Sequence, residues 1–409
     1  MITAINNVRI FDGEREINEH MIIIDNANIQ TVGGNIPKGA KIINGQGATL
    51  LPGLIDSHVH TDMDGLRDAL KFGITTELEM MGYWSKQKRK KIAKRNDVAD
   101  LRSPGMGITP SGGHPTEYMA AQDSLLMKIL LKFYKFPFVN TPEEAIKFVD
   151  KRVLEGADYI KIFIEDGTLV GFPKMPVTLV PTLRAAVERA HYYGKMAIVH
   201  ITTLDGAKQA IEAGVDGLAH LFFDKPHTPE IIAAIKKSGV FVIPTMVVGS
   251  TAFGIDAAWL ADDERVKSRL DKKWLVNLSR SMNSYPQGRM DYALASLKAL
   301  HDAGVDILAG CDVSEPNSSL GGLAHGASLH HELQLLVAAG LKPIEALRAA
   351  TSTPARRFGL ADRGRITPGL LADLLLVEGN PLTNISDTLS IHSVWHRGEH
   401  VKMRIKTGR

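Results

Sequence analysis

Two histidines one residue apart end the apolar run LIDSHVH, which follows a Pro-Gly turn. They are His58 and His60. Side chains two residues apart on a β-strand point to the same face of the sheet. Imidazole nitrogens are common ligands of divalent transition metals. The spacing therefore predicts a two-imidazole clamp for one metal ion.

Later apolar runs place further residues of ligand type at the same point of a strand. They are Lys161 in DYIKIFI, His200 in MAIVHI, His220 in DGLAHL and Asp312 in DILAGCD. A lone histidine at a strand end is more often a hydrogen-bonded core residue than a ligand. Together, however, these buried polar groups would lack partners unless something joined them. A metal centre would join all six residues.

Lys161 alternates with isoleucines in the run IKIFI, so it should point away from the helices that cover those isoleucines. Burial lowers the pKa of a lysine, and the neutral amine can react with carbon dioxide to give a carbamate. That anion has two oxygens and could bridge two metal ions. The alternative is an ammonium paired with Glu165, Asp166 or Glu79.

Eight strand-like runs alternate with helical patterns between about residues 54 and 367. The runs are LIDSHVH, GITTELEM, GMGITPSG, DYIKIFI, MAIVHIT, DGLAHLF, VFVIPTM and DILAGCD. Such alternation is typical of parallel βα units, and eight of them close a (β/α)8 TIM barrel. Active sites of these barrels lie at the C-terminal ends of the strands. The predicted ligands would thus meet at one mouth.

Helix signals support this pattern. In TPEEAIKFVDKRVLEG, Thr141 is predicted as the N-cap, Pro142 as the first helical residue and Gly156 as the stop. The polar, charge-rich stretch 251–290 is longer than a simple crossover needs. It is predicted to be either a lid or a solvated helical insertion.

Both ends of the chain have a β pattern with Gly and Asn turns. The first segment predicts an antiparallel module. We therefore expect two domains: a β-sandwich built from residues 1–53 with 368–409, and a hydrolase barrel over residues 54–367.

Composition excludes several classes of function. The 409 residues are 44% hydrophobic and carry 48 basic against 45 acidic side chains, a formal net charge of +3. This balance favours neither nucleic acid nor an anionic membrane as a partner. The start of the chain lacks a secretory pattern, and no apolar stretch approaches the roughly 18 residues of a membrane span. One cysteine suits a reducing compartment, so we expect a cytoplasmic protein that acts on a small molecule.

The motifs together resemble the amidohydrolase superfamily, in particular its imidazolonepropionase-like and prolidase-like branch. The resemblance covers nearly the whole chain and rests on LPGLIDSHVH, GADYIKIF, AHYYGKMAIVH, AIEAGVDGLAHL, GCDVS and EALRAATSTPARRFGLADRGRITPGLLADLLLV. It implies two divalent metal ions, usually zinc, and a homo-oligomer. The implied ligands are His58 and His60 on the more buried ion, carbamylated Lys161 as the bridge, His200 and His220 on the second ion, and Asp312.

The resemblance also implies a mechanism in which a hydroxide held between the ions attacks an amide or peptide-like bond while Asp312 shuttles the proton. His114, in SGGHPTEY, is predicted to contact the substrate and stabilise the oxyanion. A histidine in a surface loop is the alternative for His114. Glu117, Tyr118 and Thr202 are weaker candidates for substrate contacts.

The substrate class stays open between an N-acyl amino acid, a dipeptide and a toxin amide of the ochratoxin type. The segments FIEDG after Lys161 and HITT after His200 depart from the pattern of family dipeptidases. Hydrolysis of a cyclic amide or lactone is an alternative. A mononuclear deaminase is a weaker alternative, because Ile201, Thr202 and Thr203 follow His200 where a deaminase would place an acid, and because Lys161 indicates two metal ions. A non-catalytic relative is disfavoured, because the whole ligand set is present.

Other polar residues have structural interpretations. Cys311 precedes Asp312 and should face away from the metals as a small core residue. His325, His330 and His331 are predicted to begin an amphipathic helix rather than to line the rim. The Gly-rich segments lack the spacing of a nucleotide-binding loop.

Overall fold

The computed structural model describes residues 2–117, 136–172 and 174–402. These residues form an α/β fold. Within the described ranges, no helix combines the length and apolar character that crossing a lipid bilayer requires. Tyr118, one of the weaker site candidates, lies outside the described residues.

The strands of the described residues, numbered in chain order, are β1 (Ile2–Asn6), β2 (Arg9–Phe11), β3 (Glu16–Ile17), β4 (Met21–Asp25), β5 (Asn28–Val32), β6 (Lys41–Asn44), β7 (Thr49–Pro52), β8 (Leu54–Val59), β9 (Ile74–Glu79), β10 (Asp100–Arg102), β11 (Ile160–Ile164), β12 (Ala197–Ile201), β13 (Gly217–Ala219), β14 (Phe241–Ile243), β15 (Leu374–Val377), β16 (Ile391–His396) and β17 (Glu399–His400).

The helices of the same residues are α1 (Met63–Lys71), α2 (Lys86–Ile92), α3 (Pro142–Leu154), α4 (Val180–Tyr192), α5 (Leu204–Glu212), α6 (Pro229–Ser238), α7 (Met246–Ala252), α8 (Ala258–Asp262), α9 (Glu264–Lys267), α10 (Lys272–Leu278), α11 (Met290–Asp302), α12 (Ala327–Ala338), α13 (Pro343–Ala349) and α14 (Ser352–Arg357). Short 3-10 turns cover Ser318–Leu320 and Ile385–Leu389.

Strands from both ends of the chain share one sheet. Its order is β17-β16-β15-β7-β2-β3, and β15 runs antiparallel to β7 with Leu375 opposite Leu51. A second sheet has the order β5-β4-β1-β6. The expectation of a wholly antiparallel module is wrong, because β6 runs parallel to β1 and β7 runs parallel to β2. Residues such as Ile5, Leu374 and Trp395 form the buried core of this region.

Parallel strands form the central part of the molecule. β8, β9 and β10 make one sheet, and β11 to β14 make another. Backbone hydrogen bonds continue across one seam, from Ile108 N to Lys161 O at 2.9 Å. At the other seam, Leu308 N donates to Val242 O at 2.9 Å and His60 N donates to Val313 O at 2.8 Å.

Two of the predicted strands are not formed as expected. In GMGITPSG only Ile108 makes a bridge, and the strand that pairs with β9 is β10 instead. Pro104 precedes this run and Pro110 lies within it, and both lack the N–H that a sheet ladder requires. In the run DILAGCD only Ile307 makes a bridge, to Val242, and Asp312 at its end leaves the extended conformation with φ 53°. Closure into an eight-stranded barrel stays a prediction.

The predicted start of α3 is confirmed. Thr141 Oγ1 accepts from Glu144 N at 3.3 Å, and the Glu144 carboxylate accepts from Thr141 N at 3.3 Å. Such a capping box satisfies backbone donors that the helix itself leaves free, and an N-cap is worth about 1 kcal/mol. Pro142 opens the helix, and Gly156 follows it with φ 84°.

The charge-rich stretch 251–290 contains α8, α9 and α10. It is not simply a solvated insertion, because Leu260 and Leu278 are buried in the main core. Trp274 and Met282 from the same stretch line the large cavity described below. Its movement as a lid stays a prediction.

Candidate metal centre

Three histidines surround the carboxylate of Asp312. His58 Nε2 and His60 Nε2 lie 3.1 and 3.2 Å from Asp312 Oδ1, and His220 Nε2 lies 3.8 Å from Oδ2. Ligand atoms of His58, His220 and Asp312 all lie within 4.8 Å of one another. The ring of His200 stacks near that of His220, with centroids 4.5 Å apart. The structure thus brings together the predicted histidines and the aspartate.

The backbone holds Asp312 against the strand of His58. Asp312 N donates to His58 O at 2.6 Å, which ties the run after residue 306 to β8. Asp312 and His220 both have positive φ angles, 53° and 76°. Such conformations cost about 1–3 kcal/mol each in non-glycine residues and cluster at functional sites. The two side chains are therefore aimed at the centre at an energetic cost.

Hydrogen bonds fix which nitrogen of two imidazoles faces the centre. His60 Nδ1 lies 3.1 Å from Met81 O, and His220 Nδ1 lies 2.6 Å from Thr245 Oγ1. In both rings Nε2 is then the nitrogen that faces Asp312. Partners of this kind orient metal-ligating histidines and set their tautomer.

Lys161 is fully buried on β11. Within the described residues, Nζ has no hydrogen-bond partner and makes no ion pair with Glu165, Asp166 or Glu79. Burial lowers the pKa of Lys161 to about 7, although the charge of Asp312 acts in the opposite direction. The structure thus gives no support to the alternative in which the Lys161 ammonium pairs with an acid. With this pKa the amine of Lys161 is partly neutral near pH 7.

The electrostatics of His58, His200, His220 and Asp312 suit a divalent cation, whereas the pKa of His60 is raised, because the lowering effect of burial is outweighed by its contact with Asp312. Burial lowers the pKa of His58 to about 4 and holds those of His200 and His220 well below the usual range. These rings are therefore neutral and keep a lone pair for a metal. Burial alone would raise the pKa of Asp312, but His58 and His60 hold it well below its ordinary value. Neutral imidazoles with an ionised carboxylate are a donor set that fits such an ion.

A cavity of about 680 Å³ opens above these residues. His60, His200, His220 and Asp312 form part of its lining. Its other walls are mixed: apolar and aromatic side chains such as Met81, Trp84 and Phe163 alternate with polar ones such as Glu79 and Glu315. Volumes of this size and walls of this kind are typical of small-molecule sites.

His114 also reaches the cavity, so it is not a surface-loop histidine. Its side chain is about 10% exposed, and Nδ1 bonds to Glu117 Oε1. Its ring centroid lies 4.7 Å from that of His200. Thr202 lines the same cavity, but its hydroxyl donates to Glu165 Oε2.

The amidohydrolase family model matches residues 49–401 of the chain, which includes every residue of the centre. The chain belongs to the amidohydrolase family. The resemblance found in the sequence is thereby confirmed. Membership indicates a hydrolase that acts on C–N bonds, in a family that generally uses divalent metal ions.

Individual relatives of this amidohydrolase have different activities. A 5-methylthioadenosine/S-adenosylhomocysteine deaminase from Thermococcus sibiricus is 25% identical over 93% of this chain and 87% of that protein. An imidazolonepropionase from Cereibacter sphaeroides is 36% identical over 25% of this chain and 26% of that protein. The structure of a prolidase complexed with N-methylphosphonate-L-proline matches with a TM-score of 0.75 at 23% identity, covering 99% of this chain and 100% of that one. The last likeness shows a shared fold.

A buried acid lies beside the centre of this amidohydrolase that the sequence pattern did not single out as a site residue. Glu165 is 2% exposed, and its Oε2 lies 3.1 Å from His200 Nε2. This contact leaves Nδ1 of His200 free for a ligand. In the sequence Glu165 stands four positions after Lys161, and this position indicated it only as a partner for that lysine.

The remaining predicted structural residues are placed as follows. Cys311 is buried, and its thiol donates to Asp56 Oδ2 at 2.7 Å. His330 is a core residue that bonds to Thr388 Oγ1 and Phe72 O. His325, by contrast, lines the cavity of the amidohydrolase, so its assignment as a purely structural residue is wrong.

Proposed function

We propose that this amidohydrolase uses two divalent metal ions to hydrolyse an amide or peptide-like bond of a small molecule. The observation that carries the proposal is the fully buried amine of Lys161, which has no hydrogen-bond partner among the described residues. A buried unpartnered amine is costly, and carbamylation would convert it into an anion that two cations stabilise.

In this proposal the family's ligand set is His58 and His60 for the more buried ion, His200 and His220 for the other, and carbamylated Lys161 between them. The carbamate forms when the neutral amine adds to carbon dioxide and releases one proton. Asp312 contacts the same centre. Zinc suits these nitrogen and oxygen donors.

Bound metal ions would supply an acidified water molecule and polarise the carbonyl of the substrate. Asp312 accepts a proton at a carboxylate oxygen as water attacks, and it then passes that proton to the leaving nitrogen. Asp312 can serve both ends of the cavity because its side chain remains partly exposed beside three histidines.

His114 has a catalytic role in this proposal as the donor to the carbonyl oxygen. Its Nδ1 bonds to Glu117 Oε1, which orients the ring. The ring lies against His200 in the wall of the cavity. Donors placed where negative charge develops are worth several kcal/mol in acyl transfer.

The architecture proposed for the site is a (β/α)8 barrel over residues 54–367 with a β-sandwich of residues 1–53 and 368–409. The continuous hydrogen bonds at both seams of the parallel sheets support the barrel. The pairing of β15 with β7 supports the sandwich. A homo-oligomer and a cytoplasmic location stay predictions from the sequence.

A deaminase is the second candidate. The three residues directly after His200 are not acids, but the carboxylate of Glu165 lies 3.1 Å from its Nε2. An acid close to the centre is what protonation of a purine ring during deamination requires. The relative from Thermococcus sibiricus, itself a deaminase, also supports this candidate.

Metal analysis together with a substrate screen tests the proposal. The screen includes N-acyl amino acids, dipeptides, lactams, lactones, an ochratoxin-type amide and adenosine derivatives. We expect two metal ions per chain and release of a carboxylic acid from an amide. Ammonia release from an adenosine derivative, without amide hydrolysis, would establish the deaminase instead.

A further inference from the structure

Two segments outside the parallel strands supply a large part of the cavity lining, which we call the peripheral wall. One is the loop 314–320 that follows Asp312, and the other is the charge-rich stretch 251–290. The loop contributes residues such as Glu315 to the lining, and the stretch contributes Trp274 and Met282. The relative position of these two segments therefore decides how much space a substrate has.

Asn277 on α10 connects the stretch to the end of the loop. Its side chain is buried, and Nδ2 donates to Leu320 O and to Leu323 O, both at 2.9 Å. Gly322 N donates to the backbone carbonyl of Asn277 at 2.7 Å. Within the described residues Oδ1 of Asn277 has no hydrogen-bond partner, so the amide acts through its two donated bonds.

Thr251, in the last turn of α7, makes a second connection. It is buried, and its hydroxyl donates to Gly321 O at 2.6 Å and accepts from Met282 N at 2.9 Å. The backbone carbonyl of Thr251 accepts from Asn283 N at 2.9 Å. One threonine thus holds the end of the loop and the returning chain of the stretch together.

The Gly-rich run SLGGLAHG allows the close approach that these bonds require. Gly322 has φ 87°, a conformation that favours glycine, and a Cβ there would lie 2.5 Å from Thr251 Oγ1. A Cβ on Gly321 would lie 2.8 Å from Arg280 Cβ. Side chains at these two positions would therefore push the loop away from the stretch.

The other end of the loop is tied to the strand that carries two of the predicted ligands. His60 N donates to Val313 O at 2.8 Å. Residues 314–320 alone separate this attachment from Gly321, and within them Asn317 Oδ1 accepts from Ser319 N at 2.9 Å. So short a segment keeps its position as long as both ends are held. The bonds of Asn277 and Thr251 hold the far end.

We propose that Asn277 and Thr251 are positioning residues that fix the loop against the stretch, so that the peripheral wall is one surface that sets how tightly a substrate binds. Neither is among the described residues that line the cavity, so both act through the segments they join. The stretch can then not open as a lid without moving the loop. The effect on substrate rests on the proposed function, whereas the connection itself requires no substrate.

Hydrogen exchange of the metal-loaded full chain without substrate tests the connection. N277A removes two donated bonds, and T251V removes the hydroxyl that bonds to Gly321 and Met282. Because loss of such bonds favours local opening, amides of residues 318–323 should exchange at least about fivefold faster in both variants. T251S retains the hydroxyl and should exchange as the wild type does. N28A is the matched control, because the Asn28 amide also donates to a backbone carbonyl but lies on β5.

Steady-state kinetics with a substrate that the screen identifies test the effect on binding. In N277A and T251V, KM should rise at least about fivefold while kcat changes by less than about twofold, since a loss of binding alone leaves the chemical step intact. Metal content is verified in each variant. A fall in kcat with an unchanged KM would overturn the role in substrate binding.

The outcomes separate this inference from the proposed function. Unchanged exchange of residues 318–323 in N277A and T251V, or equal exchange in T251V and T251S, would overturn the connection even if amides are hydrolysed. If N277A does not fold, the pair T251V and T251S decides alone. A screen that finds no substrate would contradict the proposed function, and the exchange measurement would still decide the connection.

Discussion

Thr245 holds His220 through a hydrogen bond of 2.6 Å between Oγ1 and Nδ1. Thr245 has a φ angle of 44°, which is unusual for a β-branched residue. Glu332 on α12 stabilises this turn, because its carboxylate accepts from the backbone N–H groups of Met246 at 3.0 Å and Val247 at 2.9 Å. The orientation of His220 therefore depends on a buried acid of a distant helix.

Replacing Thr245 should weaken metal binding without unfolding the protein. T245V keeps the shape of the side chain and loses the hydroxyl, so His220 loses the partner that fixes its tautomer. We expect metal affinity to fall about 10- to 100-fold, the usual effect of losing such a partner. Competition with a chromogenic chelator measures it. T245S retains the hydroxyl and should bind metal nearly as the wild type does; equal affinities for T245V and T245S would contradict this role.

Glu332 should make the protein less stable as the pH rises. Burial raises the pKa of Glu332 from 4.5 to about 8. Between these values only the unfolded state releases the proton, so the free energy of unfolding falls by about 1 kcal/mol per pH unit. E332Q should lack this part of the dependence. Asp56 and Glu79 are shifted in the same direction, so the measured quantity is the difference between variant and wild type in urea unfolding from pH 5.5 to 7.5. If the free energy of unfolding depends on pH in the same way for wild type and E332Q, the raised pKa of Glu332 would be refuted.

Lys161 should couple metal binding to carbon dioxide. The pKa of Lys161 is lowered to about 7, so its neutral fraction increases from pH 6 to pH 8. Metal-free protein should therefore load metal faster at pH 8 than at pH 6 when bicarbonate is present. A carbamate signal from ¹³C-bicarbonate in NMR spectra and the metal content of the protein measure this.

The K161A variant is expected to lose most of its metal, whereas K298A, which changes an exposed lysine on α11, should retain it. Full metal content and activity in K161A would disprove the bridge.

Asp312 should be essential for turnover. D312N preserves the size of the side chain and removes its charge and its basicity. We expect the rate of hydrolysis to fall at least about 100-fold in protein whose metal content has been verified. D302N changes an exposed aspartate that pairs with Lys298 and serves as the control. Unchanged turnover in metal-loaded D312N would rule out the proton shuttle.

Strand alternation explains why much of the centre could be predicted. Short apolar runs contain His58, Lys161, His200 and His220. These four runs form β8, β11, β12 and β13. A period of two residues fixes the face of a strand irrespective of what packs against it. Thr141 was equally predictable, because a capping box is formed by residues three positions apart.

Contacts between distant segments could not be predicted in the same way. The bond between Glu165 and His200 and the approach of Glu77 to His325 depend on how strands and helices pack. Nor does local propensity indicate a left-handed threonine, because Glu332 stabilises that turn from α12. The third strand differs from the prediction for a local reason, since Pro104 before the run and Pro110 within it prevent a continuous ladder.

The pairing of β7 with β15 has a consequence for the order of assembly. β7 ends two residues before β8, the strand that carries His58, and Gly53 N between them donates to Asp373 O at 2.7 Å. β8 is translated early. The residues that hold the segment before it, 373–377, are translated much later. The ribosome must therefore deliver more than three hundred further residues before the base of the first histidine strand is fastened in place.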